Sequence, residues 1–314
     1  AGILAFGASS ALAGDALTVV SWGGAYTKSQ IEAYHKPYTA KYGTKIQSED
    51  YNGGLAEIRA QVEAGKITWD VVDLEVSDAA RGCDDGLFEK ISSGSLPNGV
   101  NGALPAKDFI PGALQECAVG TIVWSTIYAY DADKYKSKQP KTISDFFDTK
   151  KFPGKRGMRK VPKVNLEWAL MADGVDGRDV YKVLATKAGQ DRAFKKLDTI
   201  KDDVLWWEAG AQPPQMLADG EVVMTSAYNG RIFNAAVTEK KNFEIVWDRQ
   251  LFSFDLYAII KGTPRLKEAL RYVQFSTASE QLANQARWIS YGPTRKSSIK
   301  LISTHATAGI KMMP

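Results

Sequence analysis

The chain has 314 residues, with 40 Lys+Arg against 36 Asp+Glu and 44% hydrophobic content, which is too long for one ordinary core and suits two lobes. That balance excludes disorder and collagen-like structure, and a net charge of +4 with interspersed signs carries no nucleic-acid signature. No apolar run is long enough to span a membrane, and two distant histidines, His35 and His305, speak against a His-based metal site or general base.

Residues 1–14 open AGILAFGASSALA, apolar, small and uncharged, and Ala11-Leu12-Ala13 has the small-x-small form of a secretory cleavage site. We read them as a signal-peptide remnant. No cysteine follows the cleavage site, so the expectation is a free periplasmic protein and not a lipid-anchored one. The β-branched run LTVVS at 17–21 predicts a strand, broken by Trp22-Gly23-Gly24-Ala25-Tyr26. Thr27 and Gln30 have capping-box spacing. Ile31, Tyr34, Tyr38 and Tyr42 then follow a helical stripe that Gly43 ends and Pro37 should kink. Residues 45–51 predict a strand; Leu55, Ile58 and Val62 a helix closed by Gly65; WDVVDL at 69–74 a strand; and 77–85 a helix stopped by Gly86. On its helix, His35 should face the surface.

This alternation means an α/β fold with a parallel sheet covered on both faces, whose ligands gather at the carboxyl edge. The loops after Ser21 and Leu74 therefore line a candidate mouth, offering Trp22 and Tyr26, then Glu75, Ser77 and Asp78. Glu75 could instead cap the next helix, for which Ser77 and Asp78 are stronger candidates. Cys83 and Cys117 are the only cysteines. An even pair in an exported chain argues for one disulfide, worth roughly 3.5 kcal/mol by loop entropy, against the alternative of two buried thiols.

From about residue 120 a β-rich stretch, GTIVWSTIYA, crosses into a second αβ region. Helices are predicted at 142–148, 166–173, 178–187, 190–197 and 213–219, and a strand at 221–227. Strand-like runs at 243–247 and 251–260 form the return crossing, and helices fill 265–275 and 280–287. The run 155–163 reads as a solvated loop, and Trp206-Trp207 as core between elements. Two lobes follow, residues 15–120 with 255–314 and residues 121–254, joined by two crossovers around a cleft.

LTVVSWGGAY, WDVVDLE leading into RGCDDGLFE, LADGEVVMTSAYNGR, FSFDLYAII and YGPTRK occur in that order. As an ordered set the chain resembles the solute-binding proteins of bacterial ABC importers, specifically the spermidine/putrescine-binding group. The resemblance implies a type II periplasmic-binding-protein fold closing on a small ligand for delivery to a membrane permease, with no cofactor, metal or nucleic acid and a monomeric chain. Polyamine-binding members sandwich the methylene chain between aromatic rings and hold the ammonium ends with carboxylates. The matching positions are Trp22, helped by Tyr26, Tyr228, Asp255 and Tyr291, with Glu75 and Ser77 lining the cleft. The bland readings are packing for the aromatics, a protein cation as partner of Asp255, and an inter-lobe salt bridge for Arg231.

Polyamine binders usually carry a D-x-x-E pair at a second-lobe helix start, where this chain has Arg159-Lys160-Val161-Pro162-Lys163-Val164. Two lost carboxylates and gained cations would cost a diamine several kcal/mol, roughly. The departure favours an amine near Asp255 or Glu75 and a carboxylate near Arg231 or Lys163, as in an ω-amino acid such as 4-aminobutyrate. Putrescine or spermidine, and a small carboxylate or dicarboxylate, are the alternatives. An exported enzyme is disfavoured, because the chain contains no G-x-S-x-G, H-E-x-x-H, Walker A or G-x-G-x-x-G motif. A metal carrier would want clustered Tyr, His and carboxylate ligands, which are not visible.

Overall fold

A computed structural model describes residues 16–312; the expected leader lies outside the described residues. Among the described residues, nine strands form a mixed sheet. They are β1 (Leu17–Ser21), β2 (Ile46–Asp50), β3 (Val71–Glu75), β4 (Ala118–Asp131), β5 (Arg156–Arg159), β6 (Val204–Trp207), β7 (Met224–Tyr228), β8 (Phe243–Ile259) and β9 (Gly292–Pro293). Their order is β2-β1-β3-β8-β4-β7-β5-β6, with β9 added to β4.

The β1–β2 and β1–β3 pairs are parallel, as the alternation predicts, and so are β5–β6 and β5–β7. Between these two parallel blocks the long strands β4 and β8 run antiparallel to each other and to their flanking neighbours, so the sheet is mixed and not wholly parallel.

β1 and β3 are buried along their whole length because both sheet faces are covered. On one face Val19 and Val71 meet Tyr34, Tyr38, Tyr257 and Tyr272; on the other Val20, Val72 and Leu74 meet Ile58 and Phe88. The second lobe repeats this, with Met158 and Tyr128 against Phe146 and Trp168, and Ile127 and Ala227 against Leu217 and Ile232. A smaller cluster of Tyr26, Ile122, Trp124, Ile289 and Tyr291 lies where the crossing strands pass between the lobes.

Several local expectations change. The first helix starts at Gly24, and Thr27 lies inside it. Its Oγ1 reaches back to accept from the Gly23 N–H at 2.8 Å and donates to Asp50, which is not a capping box. Ahead of Pro37, residues Ile31–His35 adopt a π turn, and the helix resumes at Lys36–Tyr42 before Gly43 closes it in the left-handed conformation. His35 does not face solvent. It is buried beside the Tyr272 ring, and desolvation pushes its pKa down to about 4.

The two runs at 243–247 and 251–260 are one 17-residue strand. The supposed solvated loop at 155–163 contains β5, which lies between β7 and β6. Arg156 is fully buried there because its guanidinium donates to the carbonyls of Phe146, Gly154, Asp148 and Phe152. Of the tryptophan pair, Trp207 is core at 1% exposure while Trp206 is 51% exposed.

Cys83 and Cys117 form a disulfide, tying the helix Val76–Asp84 to the start of β4. Among the described residues no helix is long and apolar enough to cross a membrane.

Candidate functional site

The cleft between the lobes is nearly filled by its own side chains, which leave a cavity of about 20 Å3. Trp22 and Tyr26 enter it from the loop and first turn after β1, Glu75 from the end of β3, and Asp255 from β8. Tyr228 comes from the end of β7, Arg231 from the helix Asn229–Val237, and Tyr291 from the turn before β9. Ser77 and Lys163 lie outside this cleft. They meet each other at its rim, where Lys163 Nζ donates to Ser77 Oγ at 2.9 Å and to Glu75.

Ring geometry builds the walls. Tyr291 meets Tyr26 edge-on with centroids 5.6 Å apart, and Tyr228 meets Trp124 edge-on at 4.9 Å. Gly230 is required beneath them, since a Cβ there would come within 2.6 Å of the Tyr291 ring. Asn229 locks the arrangement, its Oδ1 accepting from Ser125 N–H at 2.9 Å and its Nδ2 donating to Ser290 C=O at 2.7 Å.

The strand register places Glu75 directly opposite Asp255 and Asp73 opposite Tyr257, so three acids share one small area. Like charges facing each other across a ladder repel. The protein resolves this separately for each acid. For Glu75 burial pushes the pKa up, but the cations of Arg159 and Lys163 outweigh it and hold the carboxyl below its ordinary value. Arg159 Nη1 donates to Glu75 Oε1 at 2.7 Å. Asp73 is fully buried behind the wall, accepts from Tyr26 OH at 2.8 Å and Gln30 Nε2 at 2.5 Å, and is raised by desolvation to about 7.

Asp255 lacks the close cations that Glu75 has, and only the more distant Arg231 charge offsets its burial. It is 5% exposed and accepts from Trp124 Nε1 at 2.6 Å, and no described lysine or arginine forms an ion pair with it. Desolvation first, then repulsion from Asp73 and Glu75, push its pKa well above the ordinary carboxylate range. A carboxylate in this position, ringed by aromatic faces, is matched chemically to a desolvated cation.

The bland readings are resolved in part. A protein cation is the partner of Glu75, not of Asp255, and Glu75 makes no capping bond to its helix although it stands at the N-cap. Asp78 accepts instead from Gly54 N–H and pairs with Arg81. Arg231 makes no salt bridge with a described residue. Its Nη1 and Nη2 donate across the cleft to the carbonyls of Gly23 and Trp22 at 3.0 and 2.9 Å, and its buried Nε has no protein acceptor. Together with the Arg159–Glu75 and Lys163–Glu75 pairs, these bonds hold the lobes closed. Trp124 and Arg159 were absent from the expected set. An indole in a continuous β run carries no sequence mark of function, and Arg159 stood in an apparent loop. Among the described residues no group of His, Cys, Asp or Glu is placed to hold a metal.

Comparison with known proteins agrees with this architecture. Residues 33–312 match the family model for bacterial extracellular solute-binding proteins. The gamma-aminobutyric acid-binding protein of Pseudomonas aeruginosa is 44% identical over 299 residues, covering 95% of this chain and 82% of that protein. The periplasmic binding protein MotA of A. tumefaciens B6 in complex with glucopine superposes with a TM-score of 0.83 at 30% identity, covering 91% and 86% of the two chains. The Atu4243–GABA receptor superposes with a TM-score of 0.77 at 32% identity, covering 92% and 86%. The chain belongs to the bacterial extracellular solute-binding protein family, with the two-lobed fold of periplasmic binding proteins.

Proposed function

We propose that this protein is the periplasmic binding component of an ABC importer and captures a small ω-amino acid of the 4-aminobutyrate type without altering it. The observation that carries the reading is Asp255, a buried acid facing aromatic walls with only an indole N–H as protein partner. The ammonium of the ligand takes its place against Asp255 and the rings of Trp22, Tyr26, Tyr228 and Tyr291, gaining charge pairing and cation–π attraction where water is excluded. Its carboxylate turns to the free Nε edge of Arg231.

Glu75, Lys163 and Ser77 act at one remove, as the inter-lobe bridge that stabilises the closed form. The lobes divide near residues 120 and 255, and the closed monomer is the form presented to the permease.

A polyamine is disfavoured because Arg159 and Lys163 stand where a second ammonium would need acids. A dicarboxylate is disfavoured because Asp255 would repel it. The similarity to the Pseudomonas aeruginosa gamma-aminobutyric acid-binding protein supports the same ligand class.

A thermal-shift and calorimetry panel of 4-aminobutyrate, putrescine, spermidine and succinate tests the proposal. The expected result is the largest stabilisation by 4-aminobutyrate. A larger shift with succinate would overturn the amine reading.

A further inference from the structure

Beside the ligand cleft lies a second, more enclosed chamber with a cavity of about 20 Å3. Trp124 and Tyr228 line both spaces, so the Tyr228 ring, flanked edge-on by Trp124 at 4.9 Å and by Trp207 at 5.8 Å, is a shared partition.

The chamber is lined with hydrogen-bonding groups the protein itself does not use. Trp207 Nε1 and Ser226 Oγ are both buried without a protein partner, in residues 1% and 2% exposed. Unpaired buried donors of this kind are rare in folded proteins and point to a partner from outside the chain. Arg159 and Lys163 line the same space and give it a cationic edge, although both also bridge to Glu75. Val164, in the same lining, holds a left-handed φ of 71°, which is costly for a β-branched side chain.

We propose that this chamber is a second subsite of the cleft that takes a carboxylate, held by Trp207 Nε1, Ser226 Oγ and the cationic edge. The inference rests on the amine-binding reading of Asp255. It adds that the protein accepts amino acids longer than four carbons, the ammonium staying at Asp255 and the acid passing Tyr228. The strand register supports this reach. Asp255 lies beside Ile122 and Tyr228 beside Thr126 on β4, four residues apart. That is ~13 Å of strand, less the reach of the side chains at either end.

The test uses the full chain, with calorimetry of 4-aminobutyrate, 7-aminoheptanoate and acetate on wild type, on Ser226→Ala, which nearly keeps the side-chain volume, and on Trp207→Phe, which keeps an aromatic ring but removes the indole N–H. The expected result is at least tenfold weaker 7-aminoheptanoate binding in each variant, with 4-aminobutyrate within twofold of wild type. Acetate separates the sources of the carboxylate. Acetate binding that the two variants lose means the chamber also takes a free anion, whereas weakening of 7-aminoheptanoate alone means it takes only the tethered group. Two results overturn the subsite: wild type binding neither 7-aminoheptanoate nor acetate, or both variants weakening all ligands equally. Amine binding insensitive to Asp255→Asn, beside a chamber effect on acetate, would instead reject the functional reading and leave the subsite standing.

Discussion

Replacing Asp255 by Asn keeps the shape of the side chain, leaves an oxygen for the Trp124 indole and removes an acid whose ionisation its burial and neighbours oppose. Glu75 lies opposite it on β3, and opposed side chains in such a ladder are ~5 Å apart. Two full charges at that distance would repel by roughly 3 kcal/mol at an effective dielectric of ~20, and both the raised pKa of Asp255 and the cations on Glu75 reduce this. The unliganded variant should therefore gain about 1–2 kcal/mol, which raises Tm by a few degrees for a chain of this size, on the order of 2–4 °C per kcal/mol. Ligand binding should move the other way. Losing a charge-assisted bond to a desolvated ammonium costs about 2–4 kcal/mol, or roughly 30- to 1,000-fold in Kd. Calorimetry with 4-aminobutyrate and thermal melts without ligand measure both numbers on one sample. Affinity that does not change, or affinity lost together with a lower unliganded Tm, would refute the reasoning, because the second outcome marks a structural acid.

Three further outcomes follow from the same geometry. Asp73 has a folded pKa of about 7, raised above its unfolded value, so the unliganded protein should lose stability as pH rises from about 4 to 7. The loss amounts to about 4 kcal/mol at most, and Asp73→Asn should flatten that part of a pH–stability curve measured by urea denaturation. Arg159→Met leaves Glu75 buried with only Lys163 as partner and should weaken 4-aminobutyrate at least tenfold by destabilising the closed form. Small-angle scattering should then show an expanded unliganded chain. Replacing Cys83 and Cys117 by Ser should cost about 2–5 kcal/mol in urea melts while ligand Kd stays within twofold, because the disulfide belongs to the first-lobe core and not to the cleft.

The first lobe was legible because its signals are local. LTVVS and WDVVDL are apolar runs, Gly43 and Gly65 sit at helix ends in the left-handed conformation, and the loops after β1 and β3 lead to the cleft as the carboxyl-edge rule requires. The second lobe hid β5, since RGMR looks polar and only the fold reveals four backbone carbonyls waiting for Arg156. Strand continuity through WDRQ was also invisible, because exposed polar residues interrupt the apolar pattern in the middle of β8. Within the site, Asp255 stood out as an acid among apolar neighbours. Its relation to Glu75, Asp73 and Trp124 is set by pairing between strands more than 100 residues apart, which periodicity within a segment does not encode. The Glu75–Arg159 pair is also remote in sequence, and it gives Glu75, which still lines the cleft, a second role as a bridge between the lobes.

The ladder between β4 and β8 breaks register twice, between Gly120 and Ile122 and again between Thr126 and Tyr128. Ile122 and Trp124, which touch the cleft, lie between those two irregularities. The ligand position proposed above thus lies beside the place where the strands that join the lobes break their pairing. Any rotation of the lobes about that point displaces their outer rims more than the site itself. Dye pairs placed on those rims, far from the chemistry, would report occupancy with the greatest sensitivity.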